Sequence, residues 1–195
     1  MRKDLKKCIS YHGHLCGGLL MGYRAAKAAM RSIKSSFSKD EEVVAIVENS
    51  SCFVDAVSVL TGCTFGKGNL IFKDYGKMVL FLLSRKTGEG VRVSFNSQVY
   101  ENSYSNFPEL MNKVLQGSAN EKEKVLFKKI RKEREKILLK ENDSKLLFIR
   151  KVNVALPPSA RIFRSIKCDI CGEMAMEGRL KKTKKGNVCL ECLEN

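Results

Sequence analysis

The hydrophobic pattern of residues 15–30 predicts a helix, because the apolar positions recur every three or four residues. These positions include Leu20, Tyr23, Ala26 and Met30. The same segment carries small residues, such as Gly22 and Ala25, which would let another backbone pack closely against it. We therefore expect a buried helix near the start of the chain, with a close helix or strand neighbour.

The next apolar segments predict a strand followed by a short helix. The β-branched run VVAIVEN at residues 43–49 is typical of a buried strand. In CFVDAVSVLTG, residues 52–62, the apolar spacing favours a helix that ends at Gly62, a natural C-terminal stop.

Three further strand-like runs follow, NLIFKD, KMVLFLLSR and GVRVSFN, and the turns between them suggest an antiparallel meander. Residues 108–140 are charge-rich and helical in pattern, with a break at QGSAN, and residues 146–156 predict another strand. The segment PPSA ends that strand. The pattern thus predicts an α+β core domain with an antiparallel sheet and packed helices over residues 1–157, and a small module over residues 158–195.

Composition supports a folded protein in a reducing compartment. The 195 residues are 44% hydrophobic, enough for one core and an appended module. No run approaches the roughly 18 apolar residues of a membrane helix, and the N-terminus lacks a signal-peptide pattern. The eight cysteines are not spread as in secreted disulfide scaffolds, which are usually shorter than about 80 residues. We expect a cytoplasmic protein that does not contact membranes.

The formal net charge of +15 raises the possibility of a nucleic-acid partner. The most basic run, KKIRKEREK at residues 128–136, also contains Glu133 and Glu135. Mixed charges in a helical pattern are typical of a solvated face, so the charge distribution disfavours nucleic acid without excluding it.

The strongest chemical signal is the pair of CxxC motifs CDIC and CLEC near the C-terminus, seventeen residues apart. Their thiolates, at Cys168, Cys171, Cys189 and Cys192, can converge tetrahedrally on zinc, as in a zinc ribbon or treble clef. Two disulfides or an iron–sulfur centre are the alternatives. Four protein ligands leave no open position, so we expect a structural zinc that supplies much of the module's stability.

A second candidate site lies in HGHLC, where His12, His14 and Cys16 alternate before the predicted helix. An extended lead-in would point all three side chains the same way, and imidazole and thiolate both suit zinc and related metals. A helix start also favours the thiolate form of cysteine. The alternative is a plain turn into a buried helix.

The loop GCTFGKG could supply the other half of this site through Cys63. It lacks the spacing of a phosphate-binding loop, but Lys67 and the amides around Gly66 and Gly68 could bind a carboxylate or another anion. Asp55, on an otherwise apolar helix, would need a partner such as a histidine or a metal.

The remaining N-terminal cysteines, Cys8 and Cys52, have a simpler explanation. Free cysteine is among the most commonly buried residue types, so these two side chains could simply pack in the core.

The segments HGHLCGGLLMGYRAA, VENSSCFVDAVSVLTGCTFGKGNL, DYGKMVLFLL and GEGVRV, followed by the double CxxC, closely resemble the FmdE-like family of formylmethanofuran dehydrogenase proteins. The resemblance implies an α+β core that forms a homodimer, a zinc module, and a metal-binding cleft near the histidine and cysteine motif. It also implies an association with molybdenum or tungsten enzymes that handle one-carbon units.

Matched residue by residue, the first family motif covers His12, His14 and Cys16. The second motif covers Cys52, Asp55, Cys63 and Lys67. One departure is Gly17, which stands where the family usually has proline; a proline there would restrain the first helical turn.

These observations lead to two hypotheses from different classes. In the first, His14, Cys16 and Cys63 hold a second zinc or other transition metal, with His12 or Asp55 nearby. The metal would polarise a carbonyl or activate water on a small one-carbon or cofactor-linked substrate, alongside an oxidoreductase partner. Alternatively, Cys16 and Cys63 would cycle between dithiol and disulfide. The catalytic candidates are Cys16, Cys63, His12 and Asp55.

The second hypothesis is a zinc-ribbon regulator that contacts nucleic acid and whose core senses a metal or ligand. Salt-sensitive binding of DNA or RNA would favour the regulator. A second metal equivalent lost on replacing Cys16 or Cys63 would favour the metal site in the core.

Overall fold

The computed structural model describes the backbone of residues 2–101 and 106–195, and the side chains of these residues other than 100 and 101. The chain divides into a core unit, Met1–Ser159, and a C-terminal unit, Ala160–Asn195. The boundary between them lies two residues beyond the one predicted from the sequence. Helices and mostly antiparallel sheets confirm the predicted α+β class.

Two helices begin the core unit. Helix α1, Lys3–His12, ends at Gly13, which adopts a left-handed conformation with φ of 95°. Helix α2, Gly17–Ser32, confirms the predicted helix with a shift of two residues at each end. The extended lead-in expected for the histidine motif was wrong, because His12 is the last residue of α1 and the left-handed Gly13 follows it.

The chain then forms strand β1, Val43–Val47, and helix α3, Phe53–Thr61. As predicted, α3 ends at Gly62, which is left-handed with φ of 77°. The parallel strand β2, Leu70–Phe72, follows and pairs with β1.

Strands β3, Val79–Ser84, and β4, Gly90–Phe95, form an antiparallel hairpin. Strand β5, Leu147–Val152, completes a sheet of order β2-β1-β3-β4-β5. The predicted simple meander was wrong for the first of these strands, because β1 lies between β2 and β3. A parallel pair needs a crossover connection, and α3 provides it.

Helices α2 and α3 cover one face of the sheet, and they cross with very little space between them. A Cβ atom added at Gly22 would lie 2.1 Å from the carbonyl oxygen of Phe53. One added at Gly18, four residues earlier on the same helix face, would lie 3.3 Å from Cβ of Cys52. The two glycines therefore permit the close backbone approach that the sequence suggested, and they bring the N-terminal ends of both helices together.

The rest of the core unit is largely helical. It contains α4, Gln98–Glu101, α5, Phe107–Leu115, α6, Glu121–Lys140, and α7, Asp143–Leu146. A capping box between Asn120 and Glu123 starts α6. Arg24 of α2 donates hydrogen bonds to the carbonyl of Leu138 and to Asp143, and these bonds attach the end of α6 to α2.

Two small hairpins and a short helix form the C-terminal unit. The first hairpin pairs β6, Ser165–Lys167, with β7, Met174–Met176, and a 3-10 turn, Glu177–Arg179, follows. The second pairs β8, Leu180–Thr183, with β9, Gly186–Cys189, and leads directly into α8, Leu190–Glu194. Within the part of the chain that the structure describes, no helix has the length and apolar character needed to span a membrane.

Candidate metal centres

His12 lies at the last position of α1, and its ring contacts a side chain of α3. Its Nδ1 is 2.7 Å from Oδ2 of Asp55, and its side chain is only 12% exposed. If Nδ1–H donates to this carboxylate, Nε2 carries a free lone pair, which is the form of histidine that binds metals.

Cys16 is the N-cap residue of α2. Its Sγ accepts a hydrogen bond from the backbone N–H of Leu19 at 3.4 Å and lies 3.8 Å from Nε2 of His12. A helix N-terminus favours a negatively charged sulfur, so the position suits a thiolate ligand.

Cys52 is the N-cap residue of the neighbouring helix, α3. Asp55 follows one turn later, so the thiol and the carboxylate share one face of that helix. Burial raises the pKa of Cys52, and a hydrogen bond with Cys16 adds to the effect. Metal binding would oppose this shift, because a metal takes cysteine as thiolate.

Together these three residues form a core cluster. Nε2 or Nδ1 of His12 and the sulfurs of Cys16 and Cys52 all lie within 4.8 Å of one another. Two thiols and one imidazole at this separation could hold a metal ion such as zinc.

The structure does not bring Cys63 to this cluster. Its side chain is fully buried in the sheet-facing core, and its Sγ donates to the carbonyl of Val43 at 3.5 Å. Burial also raises the pKa of this thiol. Cys52 and Cys63 flank opposite ends of a nine-residue helix, which rises about 14 Å from end to end, so Cys16 meets Cys52 instead. The predicted Cys16–Cys63 disulfide needs Cα atoms within about 7 Å. Cys63 lies at the other end of α3 from Cys52, which Cys16 contacts, so the structure does not support this pair.

His14 and the glycine loop also lie outside the core cluster. The His14 side chain is exposed, with its ring centroid 4.6 Å from that of His12. In the loop that contains Gly66 and Gly68, the Lys67 ammonium donates to the carbonyl of Ser38 at 2.9 Å. This bond ties two loops together, and anion binding at Lys67 stays a prediction.

Cys52 is the site residue that the sequence did not predict as a ligand, since packing in the core explained it equally well. The available signal was its spacing of three residues from Asp55 on a predicted helix, which places both side chains on one face. Cys8, the other cysteine that the sequence allowed to pack in the core, is fully buried. Burial together with the charge of Asp4 raises the pKa of Cys8 to about 11.

The C-terminal cluster unites the four cysteines that the sequence paired. The sulfurs of Cys168, Cys171, Cys189 and Cys192 all lie within 4.8 Å of one another. The backbone N–H of Cys189 donates to Sγ of Cys168 at 3.4 Å, and this and other backbone hydrogen bonds lower the pKa of Cys168 to about 6. The hydrogen bond with Cys189, together with burial, raises the pKa of Cys192 to about 12, so a bound metal would have to displace the proton of that thiol.

Backbone contacts hold the two halves of the C-terminal cluster together. The first knuckle turns at Gly172, which is left-handed with φ of 78°. Asp169, inside that knuckle, accepts a hydrogen bond from the backbone N–H of Asn187 at 2.7 Å. The first CxxC is thereby tied to the strand that leads into the second.

Comparison with known proteins identifies relatives of the core and of the whole chain. Residues 11–148 match the family model described as FmdE, molybdenum formylmethanofuran dehydrogenase operon. A protein of Archaeoglobus fulgidus named "Probable S-adenosyl-L-methionine-binding protein" is 33% identical over 96% of this chain. The chain spans only 52% of that relative's length.

A solved structure shares the fold. It is that of a tungsten formylmethanofuran dehydrogenase FmdE-like protein from Syntrophus aciditrophicus. The similarity covers 97% of this chain and 89% of the other, with 26% sequence identity and a TM-score of 0.62.

Proposed function

Because the chain belongs to the FmdE family, we propose that its core cluster is a metal centre at which a small one-carbon or cofactor-linked molecule is bound and polarised. The observation that carries the proposal is the convergence of His12, Cys16 and Cys52, whose donor atoms all lie within 4.8 Å.

The donor set suits zinc with one position left for a ligand. Catalytic zinc sites typically combine three protein ligands with a fourth position for water or substrate, and two cysteines with one histidine are one of the known ligand sets. The C-terminal cluster instead offers four protein sulfurs, which satisfy the ion completely. We therefore assign ligand binding to the core cluster and a structural role to the C-terminal one.

Each residue of the core site has a distinct task. Asp55 orients the His12 ring by accepting from Nδ1, so that Nε2 lies 3.8 Å from Sγ of Cys16. Such a carboxylate also makes the imidazole a stronger ligand. Cys16 and Cys52 supply negative charge from two helix N-termini. A bound zinc would act as a Lewis acid toward a carbonyl oxygen.

The family match supports the proposed substrate class. Its description names formylmethanofuran dehydrogenase, and the formyl group is a one-carbon unit with a carbonyl that a Lewis acid can polarise. We extend the proposal to a homodimer that works beside an oxidoreductase in the cytoplasm.

Metal analysis of matched cysteine variants tests the core site. We expect two metal equivalents in the wild-type protein and in Cys63→Ser, but one in Cys52→Ser. Of these two cysteines, Cys52 belongs to the core cluster and Cys63 does not. Cobalt substitution gives a second measurement: Cys52→Ser should lose part of the thiolate-to-cobalt absorption, and Cys63→Ser should retain it. Equal metal content and equal spectra in the two variants would refute the proposal.

A further inference from the structure

A small cleft opens beside the core cluster, where β1 ends, α3 begins and β2 ends. Its volume is about 210 Å³. Val47 and Val54 contribute apolar walls, and Asp55, the partner of His12, also lines it. The cleft is therefore linked to the core cluster through Asp55, which contacts His12.

Two phenylalanines from separate segments meet at this cleft. Phe65 comes from the loop after α3 and is 69% exposed, while Phe72 is the last residue of β2 and is 39% exposed. Covering such rings with another apolar ring is favourable, because it removes both surfaces from water and allows aromatic stacking. The cleft thus favours a flat, aromatic ligand.

Asp55 determines which polar groups a ligand in the cleft can carry. Among its lining residues, all of which the structure describes, Asp55 is the only ionisable one. Its Oδ2 accepts from His12, which leaves Oδ1 to accept from a ligand. The amide of Asn49 is already engaged, donating to the carbonyl of Lys77 and accepting from Ser51. A carboxylate acceptor selects an N–H donor and repels an anion.

We propose that this cleft binds a planar nitrogen heterocycle that carries an N–H donor, such as an aminopurine. The ring stacks against Phe65 and Phe72 and donates to Asp55. The cleft is smaller than a typical ligand pocket of about 300–1,000 Å³, so it holds one ring system, and the rest of a larger molecule extends outward. This inference rests on the proposed function, since the ring would lie beside the metal centre.

Titration with 2-aminopurine riboside tests this assignment on the full-length, metal-loaded protein. The chain contains no tryptophan, so the fluorescence of the probe is easily followed, and stacking should quench it. Phe65→Ala and Phe72→Ala should each raise Kd about tenfold or more, the loss expected for one stacking ring. The matched control is Phe148→Ala, an exposed phenylalanine on β5 at the opposite edge of the sheet, which should leave Kd unchanged.

Competition and metal analysis complete the experiment. Adenine should displace the probe, and benzoate should not, because Asp55 repels its carboxylate. The assignment is wrong if both phenylalanine variants bind as the wild type does, if Phe148→Ala weakens binding equally, or if benzoate competes as well as adenine. If Phe65→Ala and Phe72→Ala lose probe binding but keep the metal content of the wild type, the probe binds in the cleft. A wild-type protein that binds the probe normally but takes up no metal at His12, Cys16 and Cys52 would overturn the proposed function and leave the cleft assignment standing.

Discussion

The two cysteine clusters of this chain differ in how they are built. The C-terminal cluster takes all four sulfurs from residues 168–192, within two small hairpins and a short helix. The core cluster takes its donors from the end of one helix and the starts of two others, between His12 and Cys52. The first is a local arrangement of closely spaced motifs, whereas the second exists only because α2 and α3 cross closely.

The clusters also differ in what they can do with a metal. Four sulfurs complete a tetrahedral shell, so the free energy of metal binding can serve only to stabilise the fold. Three donors beside a cleft, with one of them oriented by Asp55, leave room for a ligand. In this chain, cysteines that are close in the sequence therefore form the structural site. Residues that only the tertiary fold brings together form the candidate functional site.

The largest effect that we expect is on the C-terminal unit. Metal removal, or Cys171→Ser, should unfold residues 160–195, because a structural zinc contributes about 10–16 kcal/mol in isolated zinc-finger peptides. Amide chemical-shift dispersion would report this unfolding. Cys52→Ser should leave both units folded. A C-terminal unit that keeps its dispersion without metal would contradict the contrast between the clusters.

Gly22→Ala should weaken metal binding at the core cluster alone, because it changes only the packing of α2 against α3. The new Cβ would lie 2.1 Å from the carbonyl oxygen of Phe53, so α2 and α3 must move apart, at a cost of about 3 kcal/mol in the free energy of unfolding. We expect weaker core metal binding and unchanged C-terminal binding, measured by competition with a chelator.

The matched control for this variant is Gly17→Ala in the same helix, where no atom lies within 4 Å of the new Cβ. It should keep both metals and its stability. If Gly22→Ala retains normal core metal affinity, the close crossing does not hold the core cluster together.

Asp55→Asn should act on the core cluster without disturbing the fold. Loss of the negative acceptor for His12 Nδ1 should weaken core metal binding by about 10–100-fold, the usual effect of removing such a partner. The C-terminal metal serves as the internal reference in the same titration. Equal affinities in the variant and the wild type would show that Asp55 does not support the histidine.

The smallest expected effect is from Gly17→Pro, which introduces the residue that the family resemblance led us to expect at this position. Gly17 is the first residue of α2, and Cys16 before it is extended, with φ of −146° and ψ of 166°, as a residue before proline prefers. The unfolding free energy should rise by about 0.4–1 kcal/mol, because the unfolded chain loses freedom. Thermal unfolding measures this change, and a lower midpoint would contradict it.

Much of the fold was predictable from local pattern. Helix α2, helix α3 with its stop at Gly62, and most strands follow from apolar spacing and turn residues. Helix α1 was missed, because its segment KDLKKCISYH is rich in lysine and precedes the clear periodicity. The parallel pairing of β2 with β1 was missed as well, since strand order depends on contacts between distant segments.

The sequence by itself determined the C-terminal cluster, because each CxxC motif fixes two sulfurs within one turn and only two knuckles had to meet. It also supplied His12, Cys16 and Asp55 as candidates for the core. Only the tertiary structure decided that Cys52, and not Cys63, joins them. The two cysteines flank opposite ends of α3, and the crossing at Gly18 and Gly22 determines which end meets α2. That choice depends on the packing of two helices, which no local spacing encodes.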